Sequence, residues 1–361
     1  YSKGSSLLRM ISKWLGEDIF IKGVAEYLNK FKYGNAKTED LWDSLSEASG
    51  KDVTKVMNIW TKQIGYPIVT VNEEGEKISF TQHRFLSTGD VKPEEDETLY
   101  PVFLAIKTKD GIDNNINLDE LKDNEFFKIN GNQAGVYVTC YSDERWAKLS
   151  KQAEFLSVED RTGLVADVKS LASSGHTSTT NFLNLISNWS NEESFVVWTQ
   201  MINSISALES AWVFEDESIK TGLKNYVTKL SIEKAHKLGW EFSNEDSYST
   251  QKLKVLLFDV ACSNDDEKAQ SAAIDMFNKY ITGDKKAIPA LIKPSVFNTV
   301  ASKGGEESYQ KLYNIYKNPM ATDEKLAALR ALGKFKEDKL ITKTLSYLLD
   351  GTVLSQDFYI P

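Results

Sequence analysis

The spacing of apolar residues changes twice along the chain, and these changes limit the folds that it can adopt. In residues 1–64 apolar residues recur every three to four positions, as on one face of a helix. From residue 67 to about residue 141 they alternate, which is typical of strands. The helical spacing then returns and continues to the end of the chain. This pattern predicts a multidomain α+β protein with a helical segment, a small β region and a long helical region.

Four helices are predicted in residues 1–65. Their apolar stripes begin at Leu7, Phe20, Leu41 and Val53. Thr38 is a good N-cap for the third helix, because its hydroxyl can accept a hydrogen bond from a free backbone N–H. The sequence Gly-Tyr-Pro at residues 65–67 ends helix formation, since Gly favours helix C-termini and Pro disfavours helical geometry at the preceding residue.

Residues 66–142 are predicted to form a small antiparallel β-sandwich. Two alternating runs flank Glu-Gly at residues 74–75, which is a hairpin signal. Further strands are predicted at 100–107, 116–118, 126–129 and 135–140. Several short strands separated by turn residues are typical of a sandwich. The acidic stretch 87–98 is predicted to be a mobile surface loop.

Residues 143–361 are predicted to be all-helical. Ser157 and Asp160 have the spacing of a capping arrangement ahead of an apolar run. Apolar stripes recur about every 18–20 residues, so helix pairs repeat at about 35–40 residues, the spacing of stacked antiparallel pairs. The pattern predicts a solenoid-like domain of the HEAT or armadillo kind.

Composition excludes some functions. The chain has 52 acidic and 43 basic residues and a net charge of −9, which argues against nucleic acid as a partner. No apolar run reaches the roughly 18 residues that span a bilayer, and no signal peptide is present. Cys140 and Cys262 lie in different predicted domains, so a disulfide is not expected. Low cysteine usage fits a reducing compartment and a cytoplasmic location.

The residues do not assemble a catalytic site. A catalytic zinc ion takes three protein ligands, but His83, His176 and His236 fall in a predicted strand, turn and helix, without the i, i+4 spacing of a zinc-binding helix. No metal or cofactor site is therefore predicted in this chain. Nucleophile elbows and phosphate-binding loops are also missing from the sequence.

The first four residues, Tyr-Ser-Lys-Gly, run directly into the first apolar stripe without an initiator Met. We expect the chain to be cut from a longer protein at this point. The final residues also lack a helix cap or a polar tail, so we expect a cut there too.

Four short motifs, in this order, resemble the C-terminal portion of the zinc aminopeptidases of the gluzincin type, in the puromycin-sensitive and membrane alanyl branch. They are Tyr-x-Lys-Gly at 1–4, Trp-x-x-Gln-x-Gly-x-Pro at 60–67, Gln-x-Arg-Phe at 82–85, and the passage 127–141. The resemblance covers nearly all of the chain and is strongest to fungal members. One departure lies at 135–141, where the family often has Gly-Phe-Tyr-Arg-Val-Asn-Tyr and this chain has Val138 in place of Arg.

The resemblance implies an enzyme that removes N-terminal residues from peptides by means of a zinc-bound water and a glutamate base. By motif match, Tyr1 is the tyrosine whose hydroxyl stabilises the developing oxyanion. The zinc ligands, the base and the amine-binding segment match nothing here, so they would lie in an upstream catalytic domain of the same protein. The chain by itself would be inactive, and zinc would be present only in the intact enzyme.

The resemblance also gives the helical domain a role, which is to enclose the cavity that admits peptides. Lys285, Lys286, Lys293 and Lys303 form a loose basic cluster that either meets a peptide's C-terminal carboxylate or is a solvated face.

An alternative function of a different class remains open. In it, the chain is a stand-alone β-sandwich and solenoid that binds peptides or proteins as a scaffold, without catalysis.

Overall fold

The computed structural model describes residues 1–74, 77–113, 121 and 126–361. These residues form two compact units. The first unit comprises Tyr1–Trp189 together with Gln200–Ser206, and the second comprises Ser190–Thr199 together with Ala207–Pro361.

The first unit begins with the four predicted helices, which are confirmed. They are α1 (Ser2–Leu15), α2 (Glu17–Lys30), α3 (Thr38–Ser49) and α4 (Val53–Lys62). Thr38 is already the first helical residue, so its predicted role as the N-cap is wrong. Lys37 holds that position, because its backbone N–H donates to Asp40 Oδ2 (2.7 Å) and closes the helix start one residue earlier.

The apolar faces of α1, α3 and α4 share one core. Leu7 and Ile11 of α1 are buried together with Leu45, Met57 and Trp60. The Trp60 ring lies 4.8 Å from that of Tyr100, measured between centroids. Burying this stripe fixes α1 by its apolar side and leaves its polar side to line a cleft.

The β region consists of two small sheets. Its strands are β1 (Pro67–Glu74), β2 (Lys77–Arg84), β3 (Ile106–Thr108), β4 (Gly111–Asp113) and β5 (Val138–Cys140). One sheet has the order β2-β1-β5 and the other pairs β3 with β4. β1 and β2 form the predicted antiparallel hairpin, with Pro67 opposite Arg84.

The antiparallel prediction is wrong for β1 and β5, which run parallel, with Ile68 opposite Val138. A tight turn forces two strands to be antiparallel, whereas more than sixty residues separate these two, so no turn sets their direction. The arrangement as a sandwich stays a prediction.

Several predicted strands are shorter in the structure or absent from it. Residues 100–105 are not a strand, because Ala105 has φ 43°, outside the β region. Residues 126–129 contribute only one bridge, between Lys107 and Lys128. The predicted strand 116–118 and Gly75 of the hairpin turn lie outside the described residues.

The acidic segment 87–98 is tied to its surroundings. Asp96 accepts hydrogen bonds from the backbone N–H of Arg84 (2.5 Å) and binds His83 Nδ1 (2.7 Å). A Cβ at Gly89 would lie 2.1 Å from the Ser174 carbonyl oxygen, so only glycine fits there.

Helices follow from residue 143 onward, as predicted. The first unit contains α5 (Asp143–Lys151), α6 (Val158–Ser173) and α7 (Thr179–Ile186), and α8 (Phe195–Ala211) contributes residues to both units. The predicted capping arrangement is present at α6, where Ser157 Oγ accepts from the Asp160 N–H and Asp160 accepts from the Ser157 N–H.

The second unit continues with seven helices among its described residues. They are α9 (Glu217–Leu238), α10 (Tyr248–Ser263), α11 (Glu267–Ile281), α12 (Lys293–Lys303), α13 (Glu306–Lys317), α14 (Thr322–Leu332) and α15 (Asp338–Leu349). From α9 to α14 each helix contacts the next, and α12 also contacts α10 and α14. Within the described part of the chain, every helix is too short or too polar to cross a membrane.

Candidate functional site

A cleft of about 620 Å³ opens beside the polar side of α1 in the first unit. Three other segments complete its walls: residues 65–66 between α4 and β1, residues 133–138 leading into β5, and one side of α6. We call it the α1 cleft. Its side-chain lining includes Lys3, Arg9, Tyr66, Asp167 and Ser170.

Two cations of α1 hold the helix to neighbouring backbone. Lys3 Nζ donates to the carbonyl oxygens of Gln63 and Gly65, at 3.1 Å each. Burial lowers the pKa of Lys3. The Arg9 guanidinium donates to the carbonyl oxygens of Asn132 (2.7 Å) and Gln133. Both side chains therefore bind neutral acceptors and anchor α1 to the α4–β1 connection and to the turn at residues 131–133.

Tyr1, the candidate catalytic residue, lies immediately before α1. Its side chain is fully exposed and makes no capping hydrogen bond, while its carbonyl oxygen accepts the Ser5 N–H at 2.9 Å. The next two residues, Ser2 and Lys3, line the α1 cleft. The position of Tyr1 is thus set by the helix that Lys3 and Arg9 anchor.

Behind the cleft lies a set of charged side chains that we call the buried charge network: Lys107, Lys128, Asp160 and Asp167. Lys107 Nζ lies 2.6 Å from Asp160 Oδ2, and Lys128 Nζ lies 3.2 Å from Asp160 Oδ1. Burial acts to raise the pKa of Asp160, but Lys128 and Lys107 outweigh it, so the pKa stays below its usual range. Burial lowers the pKa of Lys128, and Asp160 opposes that shift.

Asp167 is the member of the network that reaches the cleft. Its Oδ2 accepts from the Thr139 backbone N–H (3.0 Å), from Thr139 Oγ1 (2.6 Å) and from Gln133 Nε2 (3.4 Å). Burial raises the pKa of Asp167 to about 6, against the opposing effect of these hydrogen bonds and of Lys128. A carboxylate titrating near neutral pH in a cleft is typical of a functional site.

Gln133 connects α1 to the network. Its carbonyl oxygen accepts from Arg9, and its Oε1 accepts from Lys128 Nζ (3.2 Å). Its side chain lies against Gly163 of α6, where a Cβ would be 2.1 Å from the Gln133 Cδ. Glycine at 163 is therefore required for this contact.

The three histidines lie in separate surroundings. His83 binds Asp96, His176 Nδ1 lies 2.9 Å from Ser174 Oγ, and His236 Nε2 lies 3.0 Å from Asp266. Among the residues that the structure describes, no three His, Cys, Asp or Glu side chains are placed to hold a metal ion. These residues do not fit a zinc site, so no chemical step is assigned to zinc within the described part of the chain.

Three of the four lysines predicted as one basic cluster lie in two different environments. Lys285 and Lys293 lie over the Tyr280 ring, and Lys293 pairs with Glu324 at 2.9 Å. Lys303, at the other end of α12, pairs instead with Asp265 at 2.7 Å.

Sequence reasoning missed the buried charge network and the cleft. The sequence pattern indicates a role for Asp160 only in capping a helix. Asp167 lies in an apolar run between Val165 and Val168, two helical turns after Asp160, and a carboxylate at such a position signals a buried partner. The partners themselves lie far away in the sequence, so no local pattern reveals them.

The chain matches two protein-family models. The model described as "ERAP1-like C-terminal domain" matches residues 126–361, and the "Peptidase family M1 domain" matches residues 1–60. The chain belongs to the family of ERAP1-like C-terminal domains, with an M1 peptidase segment at its head. This result confirms the resemblance to zinc aminopeptidases that the four motifs predict.

Curated relatives carry aminopeptidase names. The chain is 64% identical to "Alanine/arginine aminopeptidase" and 62% identical to "Aminopeptidase 2, mitochondrial", both of Saccharomyces cerevisiae, and 51% identical to "Aminopeptidase 2" of Candida albicans. Each match covers 100% of this chain but only 43%, 39% and 40% of the relative. The chain therefore spans about two fifths of the length of these relatives.

Proposed function

We propose that this chain is the C-terminal region of a zinc aminopeptidase that removes N-terminal residues from peptides. The observation that carries the proposal is the 64% identity to an alanine/arginine aminopeptidase across the whole chain. The match of residues 1–60 to the M1 peptidase model supports it, since that segment begins at Tyr1.

In this proposal Tyr1 is the group of this chain that acts on the scissile bond. Its hydroxyl donates a hydrogen bond to the peptide carbonyl oxygen as negative charge develops there, and a preorganised donor of this kind stabilises the transition state. Lys3 and Arg9 hold the helix that presents Tyr1. Zinc would be held by an upstream catalytic domain of the same protein, and it would supply an activated water there.

The domain division follows the same proposal. Residues 1–65 are the last helices of the catalytic domain, 66–142 a β-sandwich domain, and 143–361 a solenoid-like domain that encloses the peptide cavity. The sequential contacts from α9 to α14 support the solenoid, since each repeat of a solenoid contacts its neighbours. Peptides are the proposed partners and nucleic acid is not. The proposed location is cytoplasmic, although the name of one relative places that protein in mitochondria.

The test compares this chain with a version extended upstream to the length of its relatives. Metal analysis and cleavage of an aminoacyl-arylamide are measured on both proteins. We expect one zinc ion and turnover in the extended protein, and neither in the short one.

Two outcomes contradict the proposal. Stoichiometric zinc and turnover in the short chain would show that the site does not lie upstream. An extended protein that binds zinc yet cleaves nothing would favour the scaffold alternative.

A further inference from the structure

A second pocket of the first unit lies beside the last turns of α1, and we call it the Trp14 pocket. Its volume is about 160 Å³. Its apolar lining consists of Met10, Trp14, Phe103, Ala105, Ile112 and Ala134. An engineered apolar cavity of about 150 Å³ binds benzene, so the Trp14 pocket has room for a single six-membered ring.

The walls of the Trp14 pocket are held in place by contacts within the chain. The rings of Trp14 and Phe103 are stacked, with their centroids 4.7 Å apart. Ala105 and Asn132, which also line the pocket, have positive φ angles of 43° and 53°. The Gly131 N–H fixes this part of the wall by donating to the Ala105 carbonyl oxygen at 2.7 Å.

This backbone geometry points to a binding site. Residues other than glycine are held in the left-handed region only where their surroundings determine it, and such residues cluster at ligand-binding sites. Pockets that are preformed, mostly apolar and supplied with a few polar groups are typical of small-molecule sites. Because the walls are already ordered, a ligand can bind without the cost of ordering them.

The polar group that gives the Trp14 pocket its charge is Lys13. Lys13 lines the pocket and is exposed, and it forms no ion pair with a carboxylate of the described residues. A second cation lies nearby, since Lys51 Nζ is 5.2 Å from the centroid of the Trp14 ring and donates to the Trp14 carbonyl oxygen at 3.3 Å. Two positive charges beside an apolar pocket favour a ligand that combines an apolar body with a negative charge.

We propose that the Trp14 pocket binds a small aromatic carboxylic acid. The ring of the ligand fills the apolar cavity, and its carboxylate pairs with Lys13 where the pocket opens to solvent. The volume limits the ligand to one ring of the size of benzene. This site goes beyond the proposed peptidase function, because neither Tyr1 nor zinc takes part in it.

Binding to this chain is measured by ligand-observed NMR titration with phenylacetate at pH 7.5 and low salt. Phenylacetamide is the matched control for charge, because it keeps the ring and replaces the carboxylate by a neutral amide. Acetate is the control for the ring. We expect phenylacetate to bind at least tenfold tighter than either control compound. Equal affinity for phenylacetamide would exclude the pairing with Lys13, and equal affinity for acetate would exclude the apolar cavity, so either result overturns the proposal.

Three variants test the residues. Lys13→Gln is expected to weaken phenylacetate binding at least tenfold and to leave the affinity for phenylacetamide unchanged. Lys55→Gln, which removes another exposed lysine of the first unit, is the matched control and should keep the affinity. Ala134→Leu should abolish binding by filling the cavity, and the helical φ and ψ of residue 134 (−76° and −37°) suit leucine.

Lys13→Gln decides the question if Ala134→Leu does not fold, because Lys13 is exposed and its substitution does not disturb the core. Undiminished phenylacetate binding by Lys13→Gln, or an equal loss of binding in Lys55→Gln, overturns the proposal. Undiminished binding by folded Ala134→Leu overturns it as well, since the ligand would then lie outside the cavity.

Discussion

The two units place their ion pairs in different surroundings. In the first unit the side chains of Lys128 and Asp160 are fully buried, and they join the segment before β5 to the start of α6. In the second unit Asp265 pairs with Lys224 and Lys303, and all three side chains remain between 39% and 50% exposed. Burial decides how much such a pair matters, because water screens the exposed pair and cannot replace a lost partner in the buried one.

Among the described residues of the second unit, the carboxylates of Glu192 and Glu324 are also buried. Glu324, which is 2% exposed, binds Lys293 and the Tyr280 hydroxyl, and it accepts the Met320 N–H at 2.7 Å. The two sets of ion pairs compared above therefore differ in their exposure to water: Lys128 and Asp160 are buried, whereas Asp265 and its two lysines are exposed. Substituting one residue in each set tests whether this difference in exposure determines their contribution to stability.

The largest effect is expected from Asp160→Ala. The substitution leaves Lys128 buried without the carboxylate that pairs with it, and it removes the Asp160 side-chain half of the capping arrangement of α6. The first unit should therefore lose about 3–5 kcal/mol of unfolding free energy. Urea unfolding followed by hydrogen exchange in α6 measures the loss. Glu159→Ala, an exposed neighbour, is the control, and a loss below about 1 kcal/mol for Asp160→Ala would contradict the role given to burial.

The second effect is a pH dependence. The folded-state pKa of Asp167 is raised to about 6, above the usual 3.8, so its stabilising contribution is full below pH 4 and is lost as pH rises through 6. Relative to the unsubstituted chain, Asp167→Asn should therefore become more stable by about 2–3 kcal/mol between pH 4 and pH 7.5. Unfolding free energies across this range test the slope. If the difference in unfolding free energy between the two proteins does not change with pH, the pKa of Asp167 is the same in the folded and the unfolded chain.

A pair of glycine substitutions should give opposite signs in the two units. Gly163→Ala places a methyl group on the Gln133 amide and should destabilise the first unit by about 1–3 kcal/mol. Gly222→Ala lies inside α9 with nothing within 4 Å, and it should stabilise the second unit by about 0.5–1 kcal/mol because alanine favours helix. Thermal unfolding of both variants checks the signs, and equal signs would contradict the packing assigned to Gly163.

The smallest effect is expected from Asp265→Asn. Asparagine tolerates the positive φ of 61° at this position, so the substitution removes the charge without straining the backbone. Lys224 and Lys303 hold the pKa of Asp265 well below its usual range, but the pairs are exposed, and the loss should stay below about 1 kcal/mol. It should also shrink in high salt, and a loss as large as that of Asp160→Ala would erase the contrast between the units.

Much of the helical structure could be predicted from sequence because its signals are local. The Leu7 stripe defines α1, and the Ser157–Asp160 spacing marks the start of α6. The β region was harder to predict, because the conformation of residues 100–105 depends on packing. Tyr100 inserts its ring beside Trp60, and Ala105 adopts a positive φ.

The candidate site also has one part that could be predicted from sequence and one part that could not. Tyr1 follows from a motif of four neighbouring residues, and it stays a prediction until activity is measured. The α1 cleft could not be predicted, because Asp167, Gln133 and Arg9 meet only when α1, the turn at 131–133 and α6 come together. A contact between segments more than a hundred residues apart leaves no periodic signal in the sequence.

The most direct test of the account is the turnover number of Tyr1→Phe in the upstream-extended enzyme. Loss of one oxyanion donor should lower kcat about 10²–10³-fold, with KM for an aminoacyl-arylamide little changed, because the hydrogen bond forms as the charge develops. The phenyl ring keeps the shape of Tyr1, and circular dichroism verifies that the variant is folded. A kcat within about twofold of the unsubstituted enzyme would contradict the role of Tyr1 as the catalytic residue of this chain.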